Sequence, residues 1–155
     1  MNDEYYMHQA LDAARQGVKC GQTPFGACIV KDDKIIVATH NKVWQNTDIT
    51  AHAEIVAIRE ACRILNTIDL SGCVIYSTTE PCPMCFAAIH WARISRIVFG
   101  AVIDDAHKAG FSELSISNLQ MKEIGQSDVI VEGEFMRPEA QALFNEWKSS
   151  AGRPY

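Results

Sequence analysis

Apolar residues recur at helical spacing from the start of the chain. Met7, Leu11, Ala14 and Val18 predict an amphipathic helix over 3–19, with Asp3 placed to cap it, Gly21 to end it and His8 on it as a surface or packing histidine. The period then shortens. Thr23-Pro24-Phe25-Gly26 turns into a hairpin with strands at 26–31 and 34–40, tipped by Asp32-Asp33 and closed by His40-Asn41. Ile35, Ile36 and Val37 follow one another without alternation, which predicts burial on both faces. A polar loop, 41–50, leads to a helix opening at His52, whose apolar face carries Ile55, Val56, Ile58, Ala61, Cys62 and Leu65. A strand over 72–78 delivers a Cys82–Cys85 turn into a helix that runs to about Arg93. A strand at 94–101, a long loop over 102–118, a strand at 129–131, a helix over 138–148 and a polar tail, 149–155, complete the chain. Long ordered loops of this kind are often functional. The order implies an α/β fold of one domain, 1–155: a mixed sheet with helices on both faces and right-handed crossovers.

Composition narrows the class. Of 155 residues 48% are hydrophobic and 21% charged, which is ordinary for a globular domain. No apolar run reaches the length of a membrane span and Met1-Asn2-Asp3-Glu4 has no signal-peptide character, so a cytoplasmic location with no membrane partner is expected. Cys20, Cys28, Cys62 and Cys73 read as small buried hydrophobes rather than a disulfide framework. A net charge of −5 is a poor start for holding a nucleic-acid backbone, although Arg93, Arg96, Lys108, Lys148 and Arg153 leave room for a local basic patch.

The chemistry concentrates in His52-Ala53-Glu54 and Pro81-Cys82-Pro83-Met84-Cys85. Cys82 and Cys85, three apart on a first helical turn, share a face where the positive helix end favours thiolate. Pro81 and Pro83 suit a helix start, where a missing N–H costs nothing. Zn²⁺ accepts sulfur and imidazole at roughly 2.0–2.3 Å, so His52, Cys82 and Cys85 form a three-ligand set with one position open, the arrangement of a catalytic zinc. His52 and Glu54 can serve one site only from a helix tip, since residues two apart do not face each other along a regular helix. There Glu54 reaches past the metal to take a proton from an activated water and return it to a leaving amine. The alternatives are a structural zinc knuckle or a redox-active CxxC pair.

The H-x-E…P-C-x-x-C pattern resembles the signature of zinc nucleobase deaminases. The chain resembles the cytidine/deoxycytidylate deaminase superfamily and, within it, the bacterial guanine deaminases. Thr50-Ala51-His52-Ala53-Glu54 and Glu80-Pro81-Cys82-Pro83-Met84-Cys85 are shared broadly, tRNA adenosine deaminases included. Ala88-Ile89-His90-Trp91-Ala92-Arg93, Ala109-Gly110-Phe111 and the tail ending in tyrosine are more selective. The resemblance implies a three-layer α/β/α sandwich with a five-stranded mixed sheet, one zinc per chain, and hydrolysis of guanine to xanthine and ammonia. It also implies a homodimer, with exchange of C-terminal tails between subunits as one arrangement. It assigns the zinc ligands to His52, Cys82 and Cys85, the proton shuttle to Glu54, and base contacts to Asn41 and Ala53. Phe25 and Trp91 become pocket walls, Glu113 an acidic contact to the base, and Tyr155 the residue that closes the pocket. Read from the residues alone, Asn41 is equally a strand-end turn residue, Phe25 and Trp91 core, Glu113 a solvated loop carboxylate and Tyr155 a frayed end. Glu80 either caps the following helix or lines the site. His40, His90 and His107 read as structural or exposed.

A tRNA adenosine deaminase shares every zinc-site residue and is the main alternative; the net charge, the Trp91 context and the Phe111 loop stand against it. Deamination of cytosine, guanosine or an aminotriazine is a closer variant. A zinc module that only binds a base or partner is a third reading, against which the intact Glu54 argues.

Overall fold

The computed structural model describes residues 2–155. The elements are α1 (Asp3–Lys19), β1 (Gly26–Lys31), β2 (Lys34–His40), α2 (Val43–Asn46), α3 (Ala53–Leu65), β3 (Val74–Thr79), α4 (Pro83–Trp91), β4 (Arg96–Ala101), α5 (Ile103–Lys108), α6 (Asn118–Gly125), β5 (Ile130–Glu132) and α7 (Arg137–Ser149). The five strands lie in the order β2-β1-β3-β4-β5. β1 is antiparallel to β2 and to β3, while β3–β4 and β4–β5 are parallel.

Strand alternation divides the core into two layers. Cys28, Val30, Val74, Tyr76 and Val98 face α1 and α7, with Met7, Leu11, Leu143 and Trp147 behind them. Ala27, Ile29, Ile75, Ile97 and Phe99 face α3 and α4, with Ala57, Ala61, Phe86 and Ile89 behind them. The result is the expected three-layer α/β/α sandwich around a mixed five-stranded sheet. Gly26 opens β1 where α1 crosses it; a Cβ there would stand 2.1 Å from the Ala10 carbonyl oxygen, so a glycine lets the helix seat.

Several expectations need correction. Asn2, not Asp3, caps α1, its side chain accepting from the Tyr5 N–H at 3.1 Å. Asp3 instead takes two hydrogen bonds from Arg96, at 3.0 and 2.8 Å, and one from the Tyr76 hydroxyl at 2.5 Å, tying α1 to β3 and β4. Glu132 of β5 joins the same guanidinium. Ile35, Ile36 and Val37 are not buried on both faces. They lie on the edge strand β2, where the register slips between Ile29 and Val30. This bulge breaks the pleat, so Ile36 and Val37 lean on the same core layer while Ile35 is exposed. The hairpin tip is as expected, with both Asp32 and Asp33 left-handed (φ 49° and 57°), as a two-residue turn requires. The loop over 102–118 contains α5, and α6 was not foreseen at all. Leu119 and Ile124 of α6 point to solvent, so it shows no apolar stripe. Its legible signal was Ser117-x-x-Gln120, a capping box made in both directions at 3.1 and 2.9 Å. Cys28 and Cys73 are buried as read, but Cys20 is exposed and Cys62 half-buried. Among the described residues no helix is long and apolar enough to cross a membrane.

Candidate active site

Two helix N-termini meet beside the carboxyl end of β3. His52 is the N-cap of α3 and Cys82 the N-cap of α4; neither side chain caps its own helix. Both turn inward instead, leaving the positive helix ends directed at the site. Cys85 stands at the third position of α4 and Glu54 at the second of α3. The tip geometry that His52 and Glu54 need is therefore what the chain adopts.

The donor atoms fit a tetrahedral metal. Nδ1 of His52 lies 3.6 Å from Sγ of Cys82 and 3.6 Å from Sγ of Cys85. Zinc bonds of about 2.3 Å to sulfur and about 2.05 Å to nitrogen, at the tetrahedral angle, span an S···N edge of about 3.6 Å. One ligand atom from each residue lies within 4.8 Å of the other two. The Cys82 thiol is drawn down to about 4, first by the hydrogen bond from Cys85, against burial and with help from His52. Sharing that bond, burial and the nearby Glu54 carboxylate push Cys85 upward. A bound dication deprotonates both thiols.

Glu54 is buried, with Oε2 3.5 Å from Sγ of Cys85. Burial holds its carboxyl above the ordinary range, with His52 opposing. The Ser77 hydroxyl lies 3.0 Å from Oε1 of Glu54 and 2.7 Å from the Thr79 carbonyl oxygen; its single proton serves one of them at a time. Ser77 was not foreseen. It comes from β3, and nothing in the local sequence marks it.

A narrow cleft opens in front of these groups, lined by Phe25, His52, Glu54, Cys82, Glu113 and Tyr155 among others. Thr79 and Glu80 complete its wall. Glu80 is buried and lines the site; instead of capping the helix that follows it, its carboxylate accepts from the Asn118 N–H at 2.8 Å and the Ile103 N–H at 3.4 Å, at the starts of α6 and α5. Glu113 sits on the loop between α5 and α6, where burial and then the Cys82 and Glu54 charges push its carboxyl up to about 7. The His107 imidazole contacts the Glu113 carbonyl oxygen at 2.8 Å.

The tail returns to the pocket of its own chain. The Tyr155 ring lies 5.6 Å from the His52 ring and 5.5 Å from Phe111. Its hydroxyl accepts from Asn41 Nδ2 at 2.7 Å, and Asn41 is held in turn because its Oδ1 accepts the Val43 N–H at 3.0 Å. Burial pushes the Tyr155 phenol above its usual range. Trp44, unforeseen as a site neighbour, grips the tail twice. Its indole N–H donates to the Arg153 carbonyl at 3.0 Å and its ring carries the Arg153 guanidinium at 3.6 Å. Phe25 packs edge-on to Phe111 at 4.9 Å. Ala53 is buried as the first residue of α3, behind His52 and Glu54. Trp91 is not brought to this pocket: it ends α4 at 82% exposure, so it is no wall within a single chain.

Comparison with known proteins agrees with this geometry. The family model of the cytidine and deoxycytidylate deaminase zinc-binding region matches residues 1–101. The chain is 46% identical to the guanine deaminase of Bacillus subtilis (strain 168) over 114 residues, 73% of each chain. It is 45% identical to the tRNA-specific adenosine deaminase of Aquifex aeolicus (strain VF5) over 116 residues, 75% of this chain and 76% of that one. A solved guanine deaminase from Nitrosomonas europaea superposes with a TM-score of 0.85 at 30% identity, covering 94% of this chain and 84% of that one. The helix-tip donor set, the buried carboxylate beside it and the span of these matches lead to one conclusion: the chain belongs to the cytidine and deoxycytidylate deaminase family, as a hydrolytic deaminase of the zinc type.

Proposed function

We propose that the protein deaminates guanine to xanthine, with one zinc held by His52, Cys82 and Cys85. The supporting observation is the closure of the pocket: Tyr155 stands over His52 with its hydroxyl on Asn41. A nucleotide flipped out of an RNA must trail its backbone away from the site, whereas a free base can be enclosed. Glu113 adds to the argument, because a carboxyl on the wall of the cleft can accept from the N–H edge of a purine.

Zinc, when bound, lowers the pKa of a coordinated water from 15.7 to roughly 7. The protein's own groups do the rest. Glu113 holds the base with C2 towards Glu54, while Asn41, expected as a base contact, stands behind the Tyr155 hydroxyl that closes the site. Glu54 takes a proton as the water oxygen adds to C2, and delivers it to the ring nitrogen. The hydroxyl now on C2 gives up its proton, which Glu54 passes to the amine, and the C2–N bond breaks with ammonia leaving as the C2 carbonyl forms. Ser77 keeps Oε1 of Glu54 aimed at this path. Phe25, Phe111 and Tyr155 exclude bulk water, which strengthens every electrostatic contact inside.

A homodimer is part of the proposal. Met84 and Trp91 lie seven apart on the outer face of α4, 37% and 82% exposed, and Ile49 and Leu114 rim the cleft beside them at 61% and 64%. Apolar exposure of this sort suits a partner subunit. Light scattering after gel filtration should give twice the chain mass.

The decisive assay offers guanine and follows ammonia and xanthine together. The rival reading rests on the 45% identity to the Aquifex tRNA-specific adenosine deaminase. It predicts no turnover of guanine, inosine formation in a tRNA anticodon stem-loop, and binding that weakens steeply with salt.

A further inference from the structure

The strand-to-helix strap that carries the first sulfur has few ways to be held. Pro81 and Pro83 have no N–H, so between Glu80 and the first turn of α4 the backbone anchors mainly through carbonyls. One of those carbonyls has a dedicated partner. Nδ2 of Asn118 donates to the Pro81 oxygen at 2.6 Å. The backbone N–H of the same residue donates to Oε1 of Glu80 at 2.8 Å, and the Glu80 N–H donates to the Ala101 oxygen at 2.7 Å. Asn118 thus grips both residues that precede Cys82. It is fully buried at the start of α6, 37 positions from Pro81 in sequence. Its amide orientation is fixed by this contact: Oδ1 is buried with no hydrogen-bond partner among the described residues, and turning the amide over would set that oxygen against the Pro81 carbonyl. Orphaned buried oxygens are uncommon, and an apolar side chain of similar size would avoid one. What the residue provides here is the donor.

We infer that Asn118 is a positioning residue for the metal centre, fixing the Pro81 carbonyl so that Cys82 presents its sulfur at tetrahedral spacing from His52 and Cys85. It acts through Cys82 and touches no substrate. The inference rests on the zinc reading of the His52–Cys82–Cys85 set and is independent of which base is deaminated. Partners one step behind metal ligands typically account for 10–100-fold in metal affinity.

The test is zinc affinity of the full chain by competition with a chelator, at a temperature where every variant remains folded by circular dichroism. Asn118→Ala removes the donor. Ser117→Ala removes the cap of the same helix, whose hydroxyl accepts the Gln120 N–H, and leaves Pro81 alone. If Asn118 positions the ligand, Asn118→Ala raises the zinc dissociation constant 10–100-fold and perturbs the thiolate–cobalt absorption of the Co²⁺-substituted protein, while Ser117→Ala changes affinity less than about twofold. Asn118→Asp, equal in volume and lacking the donor, is the second variant should Asn118→Ala not fold, and it should lose at least as much. Unchanged affinity in the Asn118 variants, or equal losses in the Asn118 and Ser117 variants, reduces Asn118 to a structural role and overturns the assignment. A wild-type protein that binds no zinc overturns the metal reading beneath it.

Discussion

In the proposed mechanism Glu54 does the chemistry and Ser77, 3.0 Å from its Oε1, aims it. Glu54→Gln should keep the fold and the zinc, because the carboxylate is not among the three donors, and should lose turnover. Positioned general acid–base groups contribute roughly 10²–10⁴-fold, so kcat should fall by at least about 10² while metal content stays that of the unmodified protein. Near-normal kcat in this variant would remove Glu54 from the proton path. Ser77→Ala should leave Oε1 unguided and cost less, about tenfold in kcat, since one neutral hydrogen bond contributes roughly 0.5–1.5 kcal/mol. A loss as large as that of Glu54→Gln would mean that Ser77 carries a proton itself.

The informative element is the tail. Its last residue is half-buried against His52, Phe111 and Trp44, and Trp44 holds Arg153 by both faces of its chemistry. Deleting residues 150–155 should lower kcat/KM for guanine severely and leave zinc content unchanged, with a small fall in Tm from the lost Tyr155 packing. Trp44→Ala removes a cation–π contact of about 0.5–1 kcal/mol and a hydrogen bond of about 1 kcal/mol, so kcat/KM should fall about tenfold. Arg153→Ala removes only the first and should cost a few-fold. Full activity in the truncated protein would make the tail a passive end and would take the main support from the guanine proposal.

At the scale of the whole molecule, two linkages set stability. Metal binding adds RT ln(1 + [Zn]/Kd), about 4 kcal/mol when free zinc is a thousand times Kd, and each kcal/mol moves Tm by about 2–4 °C in a chain of this size. Chelation should therefore lower Tm by about 10 °C in a calorimetric scan; an unchanged Tm would show that no structural coupling exists. The second linkage is to protons. Hydrogen bonds from Arg96, foremost, and from Tyr76 hold the Asp3 carboxyl below its ordinary value of 3.8, against burial. Burial works against Asp105 as well, but Arg137, Gln141 and the Val102 N–H outweigh it and hold that carboxyl below 3.8 too. A depressed folded pKa means that this stability is complete above about pH 4 and is lost as pH falls through the folded values. Urea midpoints of the chelated protein should fall from pH 5 to pH 2, and Asp3→Asn should flatten part of that slope. A midpoint just as steep in Asp3→Asn would assign the acid sensitivity elsewhere.

The sequence alone determined whatever is local in the chain. Helical and strand periods fix α1, β1, α3, β3, α4, β4 and α7. The i, i+3 sulfurs and the His-x-Glu tip are each short-range geometry; that the two, 30 positions apart, serve one site was legible only through the resemblance to a known signature. It could not determine what depends on residues far apart meeting. Whether Ile35 is covered was decided by β2 lying at the sheet edge with a bulge. α6 escaped because its outer face carries Leu119 and Ile124 into solvent and only a capping box marks its start. Ser77, Trp44 and Asn118 reach the site from three different elements, 23, 109 and 37 positions away from Glu54, Arg153 and Pro81. Trp91, named by resemblance, ends on the surface because α4 turns its Met84–Trp91 face outward. Those placements are set by which helix packs on which face of the sheet, a matter of summed burial over the whole chain that no local spacing encodes.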